Sequence, residues 1–219
     1  MEGSHDAMDE TIFKQLLHQA GLQILETKNI EEAVACNVDA YEGYPLYPAL
    51  FGKYSSDKLV AKVWRSSILT LNHYATLIVD SPAVNGFLCL CPPGYHGMPS
   101  VQYLLKSGLQ NIMPISTYMP MIRYEKYCMD MKQRNMPQDG WYIYDLVVRK
   151  EAQNQGLAKR LLQPCLKFFD YEKQCVYLET HDPKNIAFYE HFGFVVVETG
   201  TVPHSDLTHY GLLRDPKVM

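Results

Sequence analysis

The chain has 219 residues, 47% of them apolar, with a formal charge of −4 and a pI near 6.0. That is ample material for one hydrophobic core, so 1–219 is expected to form a single domain. The acidic balance, without clustered Lys and Arg, argues against a nucleic-acid partner.

The N-terminus lacks the cationic start and apolar stretch of a secretion signal, and residues 1–10 are expected to be disordered. No apolar run approaches the roughly eighteen residues that a bilayer crossing needs. The expectation is a cytoplasmic protein, monomeric or homodimeric, with no membrane partner. The six cysteines show no Cys-x-x-Cys pair and read as reduced core residues.

Ile12, Phe13, Leu16, Leu17 and Ala20 recur at helical spacing, and Gly21 supplies a stop. Leu22 to Glu26 reads as an opening strand. Asn29 then caps a helix with Ile30, Ala33, Val34 and Val38 on its inner face. The proline- and tyrosine-rich stretch Tyr41 to Pro48 reads as a shaped loop. A helix follows over about 56–71, then strands Thr76 to Asp80 and Asn85 to Cys91 around the turn residues 81–84.

Helical patterns over 100–112 and 116–133 come next. Met113, Met119, Met121, Met129, Met131 and Met136 fall in or beside them, and such side chains either line an irregular pocket or pack between helices.

Tyr142 to Val148 forms an apolar central strand, opened by Gly140-Trp141, and Leu157, Leu161, Leu162, Cys165, Leu166 and Phe169 mark one stripe of a helix reaching Asp170. Pro164 lies inside that helix, where it removes a backbone bond at a cost of about 3 kcal/mol, so a kink is expected. Between strand and helix stands Gln153-Asn154-Gln155-Gly156-Leu157-Ala158. A strand turning through small residues into a helix leaves backbone N–H groups unpaired at the positive end of the helix dipole, which suits a phosphate. Neither a P-loop nor a three-glycine dinucleotide fingerprint is present. A second strand, Cys175 to Thr180, and strands Val195 to Glu198 and Thr208 to Arg214 complete the chain.

The turn, read as Gln/Arg-x-x-Gly-x-Gly/Ala after an apolar strand, resembles the acyl-CoA pyrophosphate loop of the GNAT superfamily of N-acetyltransferases. Asn185-Ile186-Ala187-Phe188-Tyr189-Glu190-His191-Phe192-Gly193-Phe194 is similar to the family's Asn-x-x-x-Tyr-x-x-x-Gly-Phe segment. These pieces stand in the family's order over region 140–200. Tyr177-Leu178-Glu179-Thr180 and the proline in mid-helix resemble the puromycin N-acetyltransferase-type enzymes more narrowly, whereas before Gly140 only the layout matches.

The resemblance implies an α/β (α+β) fold: a central, mixed, mostly antiparallel twisted sheet of about six to seven strands flanked by helices. In that fold a splayed pair of parallel strands binds the cofactor, acetyl-CoA, and acetyl passes to the primary amine of a small molecule in a ternary complex. Leu146, Val147 and Val148 would present backbone groups to the pantetheine arm and acetyl carbonyl. Gln153, Asn154, Gln155, Gly156, Leu157, Ala158 and Lys159 would hold the pyrophosphate. Asn185 would bond the cofactor arm, and Tyr189 would protonate the departing sulfur. Asn154 stands where the family usually has Gly, which motivates the alternative of an acyl-CoA-binding module with little or no turnover.

A phenol stays protonated to about pH 10, so Tyr189 is chemically suited to meet a thiolate. Its spacing of four from Asn185 puts both on one helix face. The base that deprotonates the amine is open between Glu179 and Asp145, with Glu179 preferred because its position resembles a glutamate of the puromycin-type enzymes. Tyr44 and Tyr47, with Tyr41 and Phe51, either clasp the amine or pack. The histidines form no His-x-x-x-His pair, so no metal is expected and they read as structural or surface residues.

Overall fold

The computed structural model describes residues 10–80, 83–95, 106 and 119–217. Its framework is a seven-stranded sheet in the order β1-β2-β3-β4-β5-β7-β6. The strands are β1 (Gln23–Ile24), β2 (Thr76–Val79), β3 (Gly86–Cys91), β4 (Trp141–Val148), β5 (Val176–Thr180), β6 (Val195–Thr201) and β7 (Thr208–Arg214). Only β4 and β5 pair in parallel; every other neighbour is antiparallel. The expected mixed, mostly antiparallel sheet flanked by helices is therefore the one observed.

The helices are α1 (Glu10–Gln19), α2 (Ile30–Tyr41), α3 (Leu46–Phe51), α4 (Asp57–Leu71), α5 (Met119–Asn135), α6 (Leu157–Glu172) and α7 (Pro183–His191). Alternation along the strands divides the core in two. Phe87, Cys89, Cys91, Tyr142 and Tyr177 face a cluster with α2, α3 and α4, while Leu88, Leu90, Ile143, Val176 and Leu178 face α1 and α6. Strand β3 is buried at all six positions, as a strand covered on both sides must be.

Helix α6 sets the floor of the site. Its stripe of Leu161, Leu162, Cys165, Phe168 and Phe169 is fully buried. At about 1.5–3 kcal/mol for each fully buried large side chain, that packing outweighs the bond lost at Pro164. The helix accordingly runs from Leu157 to Glu172 with the proline inside it. Gly86 lets α6 approach the sheet, because a Cβ there would stand 2.7 Å from Leu161 Cδ1 and 3.0 Å from Leu157 Cγ.

Several sequence expectations change in detail. The Tyr41–Pro48 stretch is not all loop: α2 extends to Tyr41, and α3 begins at Leu46 with Pro48 in its first turn, where an N–H has no helical partner to lose. The opening strand shrinks to Gln23–Ile24, and β6 runs on to Thr201. The helical pattern at 100–112 lies outside the described residues apart from Lys106, as do residues 1–9, Met113, 116–118 and the first two turn residues, 81 and 82.

Four of the methionines singled out by sequence resolve as packing. Met131 is fully buried, while Met121, Met129 and Met136 pack against the α2–α4 cluster and Met119 is exposed. None lines the cleft described next.

Candidate active site

Strand β4 is paired with β3 from Tyr142 to Val148, but with β5 only at Trp141, Tyr142 and Ile143. Beyond Ile143 the two parallel strands part, leaving the β5-facing edge of β4 without ladder partners. A cleft of about 610 Å³ opens there, lined by Leu146, Val147 and Val148 on one side and Leu178, Glu179 and Thr180 on the other.

At one end of the cleft lies the strand-to-helix turn. Asn154 and Gly156 both adopt left-handed backbone conformations, with φ of 60° and 79°. Asparagine is among the few side chains that accept this region, so its presence in place of glycine leaves the turn intact. Gly156 is the N-cap of α6, and no side chain caps the first turn. The leading N–H groups of a sixteen-residue helix are thus left to solvent or an anion. A Cβ on Gly156 would meet nothing within 4 Å, so the space above the turn is open. Gln153 braces the turn by donating to the Val148 carbonyl at 3.0 Å. Lys159 is the one cation among the described residues lining the cleft. Together, open space, uncapped amides and a lysine fit a diphosphate.

Helix α7 forms the next wall. Asp182 caps it, its carboxylate accepting from the Lys184 N–H at 2.9 Å, and Pro183 follows at the first position. Asn185 donates to Thr180 Oγ1 at 3.1 Å, which holds its side chain across the mouth of β5. Tyr189, one turn on, lines the same cleft at 8% exposure, and burial pushes its phenol above the ordinary tyrosine range.

The other end of the cleft is aromatic and acidic. Tyr41, Tyr44, Tyr124, Tyr142 and Tyr144 line it together with Asp145, Glu179 and His181. Glu179 accepts from Tyr142 at 2.9 Å and Tyr177 at 3.2 Å. Asp145 Oδ1 accepts from Tyr41 at 2.8 Å, whereas its Oδ2 is buried and receives no hydrogen bond among the described residues. Burial raises the Asp145 carboxyl to about 8, with the Tyr41 hydrogen bond and then the Leu146 N–H opposing. Glu125 on α5, which accepts from Tyr144 at 3.2 Å, is likewise raised by burial to about 7.

His181 and His209 are inside the protein rather than on its surface, their facing ring nitrogens 3.0 Å apart. Burial, then His209, lowers His181 to about 3, so the imidazole is neutral. Cys128, Glu179 and His209 bring donor atoms within 4.8 Å of one another. His209 Nε2 stands 3.5 Å from Glu179 Oε1, and both oxygens of Glu179 also accept phenols.

Of the residues singled out by sequence, the cleft brings together Leu146, Val147, Val148, Gln153, Asn154, Gly156, Leu157, Ala158, Lys159, Asn185, Tyr189, Tyr44 and Glu179. Two stand apart. Gln155 turns back to donate to the Glu151 carbonyl at 2.8 Å, and Tyr47 is buried behind the wall, stacked on Phe51. Sequence reasoning missed Tyr124 and the His181–His209 pair, which no local motif marks. Tyr142 and Tyr144 could have been found from their spacing of two along the central strand.

Comparison with known proteins agrees with this geometry. Residues 125–194 match the model of the acetyltransferase (GNAT) family. An uncharacterized N-acetyltransferase of Schizosaccharomyces pombe is 24% identical over 184 residues, covering 78% of this chain and 72% of that protein. Among solved structures, a Corynebacterium glutamicum protein described as histone acetyltransferase HPA2 and related acetyltransferase shares the fold with a TM-score of 0.63 at 14% identity, over 90% of this chain and 97% of that one. The C-terminal condensation domain of Ebony, solved with β-alanyl-dopamine, has a TM-score of 0.65 at 8% identity, over 89% and 97%. The family match over residues 125–194 and the N-acetyltransferase relative support the GNAT superfamily and an acyltransferase for this chain, and the solved structures show the shared fold.

Proposed function

We propose that this protein transfers an acetyl group from acetyl-CoA to the primary amine of a small molecule, with both substrates in the cleft at once. The observation that carries this reading is the parting of β4 from β5 after Ile143, with the uncapped turn of α6 at one end of the gap and the tyrosines and carboxylates at the other. Acetyl-CoA supplies an activated acyl thioester.

The chain's own residues have separable tasks. The α6 amides and Lys159 hold phosphate oxygens by charge-assisted hydrogen bonds. The free edge of β4 at 146–148 presents backbone N–H groups to a polar arm and to the oxygen on which charge develops; loss of one such donor typically costs about 3–4 kcal/mol in acyl transfer. Asn185 fixes the arm. Tyr189, protonated at every working pH, offers its proton at the leaving sulfur.

A cleft of about 610 Å³ walled by six tyrosines suits a small molecule better than a folded protein surface. That a domain of this fold holds β-alanyl-dopamine is consistent with a compact aromatic amine as acceptor. The six free, buried cysteines fit a reducing compartment such as the cytoplasm. No helix among the described residues is long and apolar enough to cross a membrane.

A thiol-release screen with acetyl-CoA over alkylamines, arylamines, aminonucleosides, polyamines, aminoglycosides and peptide N-termini tests the proposal. Steady turnover on a small amine is expected. Turnover confined to peptides, or no calorimetric affinity for acetyl-CoA, would contradict it.

A further inference from the structure

We propose that Asp145, not Glu179, takes the proton from the acceptor amine, and that an extra residue in strand β4 is what aims it into the cleft. This rests on the acetyl-transfer reading above and assigns its missing base.

The ladder between β3 and β4 pairs Cys89 with Asp145 but Leu90 with Ile143, so Tyr144 has no opposite number. In a regular strand Asp145 would share a face with Trp141 and Ile143, which pack with the α6 cluster. Such a side would bury a carboxylate among Leu161, Leu162 and Phe169. The extra residue reverses the alternation. Tyr144 and Val147 pack with the α2–α4 cluster, Leu146 and Val148 with the α6 cluster, and Asp145 reaches Tyr41 of α2. The irregularity thus turns the carboxylate toward the acceptor tyrosines at the level where β4 leaves β5.

Its surroundings leave Asp145 open to a proton, whereas both oxygens of Glu179 are engaged. Asp145 Oδ1 is held by Tyr41, while Oδ2 is buried and meets no side-chain donor among the described residues, the Leu146 N–H being the one further donor near the carboxylate. The titratable groups facing it are Cys36 and Tyr41 of α2, Tyr44, Tyr47 of α3, Cys89 of β3 and Tyr189 of α7, all phenols and thiols raised by burial and uncharged near neutral pH. No cation among the described residues answers this carboxylate. An incoming ammonium would, and proton transfer between them removes both charges from a site that solvates neither. The raised carboxyl, near 8, agrees with a group poised to accept. Each oxygen of Glu179, by contrast, already accepts a phenol.

The steps balance. The ammonium gives one proton to Asp145 Oδ2, and the freed lone pair attacks the acetyl carbon. As the C–N bond forms and the C–S bond breaks, the sulfur takes a proton from Tyr189, which regains one from the former amine nitrogen. Asp145 then releases its proton to solvent, and the products are the amide and the free thiol.

Asp145→Asn and Glu179→Gln separate the two carboxylates. Each is assayed by thiol release from acetyl-CoA over pH 6–10 with the best alkylamine and the best arylamine of the screen, with acetyl-CoA affinity and Tm measured alongside. Asp145→Asn is expected to lower alkylamine turnover by about a hundredfold or more and to erase the acid limb near pH 8. Its effect on the arylamine, already neutral, should be several-fold smaller, with acetyl-CoA affinity unchanged and Tm unchanged or higher. Glu179→Gln should raise KM and keep the limb. The assignment is overturned if Asp145→Asn keeps the limb, if Glu179→Gln loses it, or if Asp145→Asn falls in Tm and acetyl-CoA affinity together. A parent protein that releases no thiol with any amine would instead defeat the underlying acetyl-transfer reading, and this proposal with it.

Discussion

Tyr189 illustrates how much a single residue's role depends on what surrounds it. Its hydroxyl belongs to a helix whose position is fixed by the Asp182 cap and by Phe194 and Phe192, which pack with the same cluster. Removing only the hydroxyl should leave that packing in place. Tyr189→Phe is therefore expected to lower kcat by about ten- to a hundredfold while acetyl-CoA affinity, read by calorimetry, stays within error. Equal turnover in parent and variant would assign the leaving-group proton elsewhere. Tyr189 and Asn185 stood out in the sequence because the segment 185–194 resembles a GNAT motif, and their spacing of four put them on one helix face. Asp145 was visible only as a carboxylate near the middle of a strand, since nothing local predicts that one residue earlier the strand slips its register against β3.

Among the elements, α6 carries the most weight in the proposed function, because its first turn is the proposed anion site and its stripe anchors it to the sheet. Gly86 sets how closely the two approach. Gly86→Ala would press a methyl against Leu157 and Leu161, costing about 1–3 kcal/mol by denaturation, and would displace the turn enough to weaken acetyl-CoA binding. If stability falls but acetyl-CoA affinity does not, the turn is held by Gln153 and the preceding loop rather than by the helix. The turn and α6 were readable because both are local in the chain: small residues at a junction, then a stripe at helical spacing. The acceptor end was not, because α2, the turn before α3, α5 and β4 each contribute to it from distant parts of the sequence. Helix α3 was hidden by its prolines, which signal a loop everywhere except in a first turn.

For the whole molecule, two buried carboxyls link stability to pH. Glu125 and Asp145 have ordinary values of 4.5 and 3.8 but are raised by burial to about 7 and about 8. The folded state thus binds their protons more tightly than the unfolded chain, so stability is lost as pH rises from about 4 through about 8, by something on the order of a few kcal/mol. Thermal melts of the parent should show Tm falling toward pH 8 and 9, with the slope reduced in Asp145→Asn and in Glu125→Gln. A Tm that climbs over that range would contradict the burial that raises these carboxyls. The same arrangement, an anion-seeking turn at one end of the parted strands and proton-seeking carboxylates at the other, is the central claim of this account. A crystal structure with coenzyme A tests it most directly: phosphate oxygens should sit within hydrogen-bond distance of the first amides of α6, with the pantetheine arm between β4 and β5. Coenzyme A bound elsewhere, or a gap closed by side chains, would contradict it.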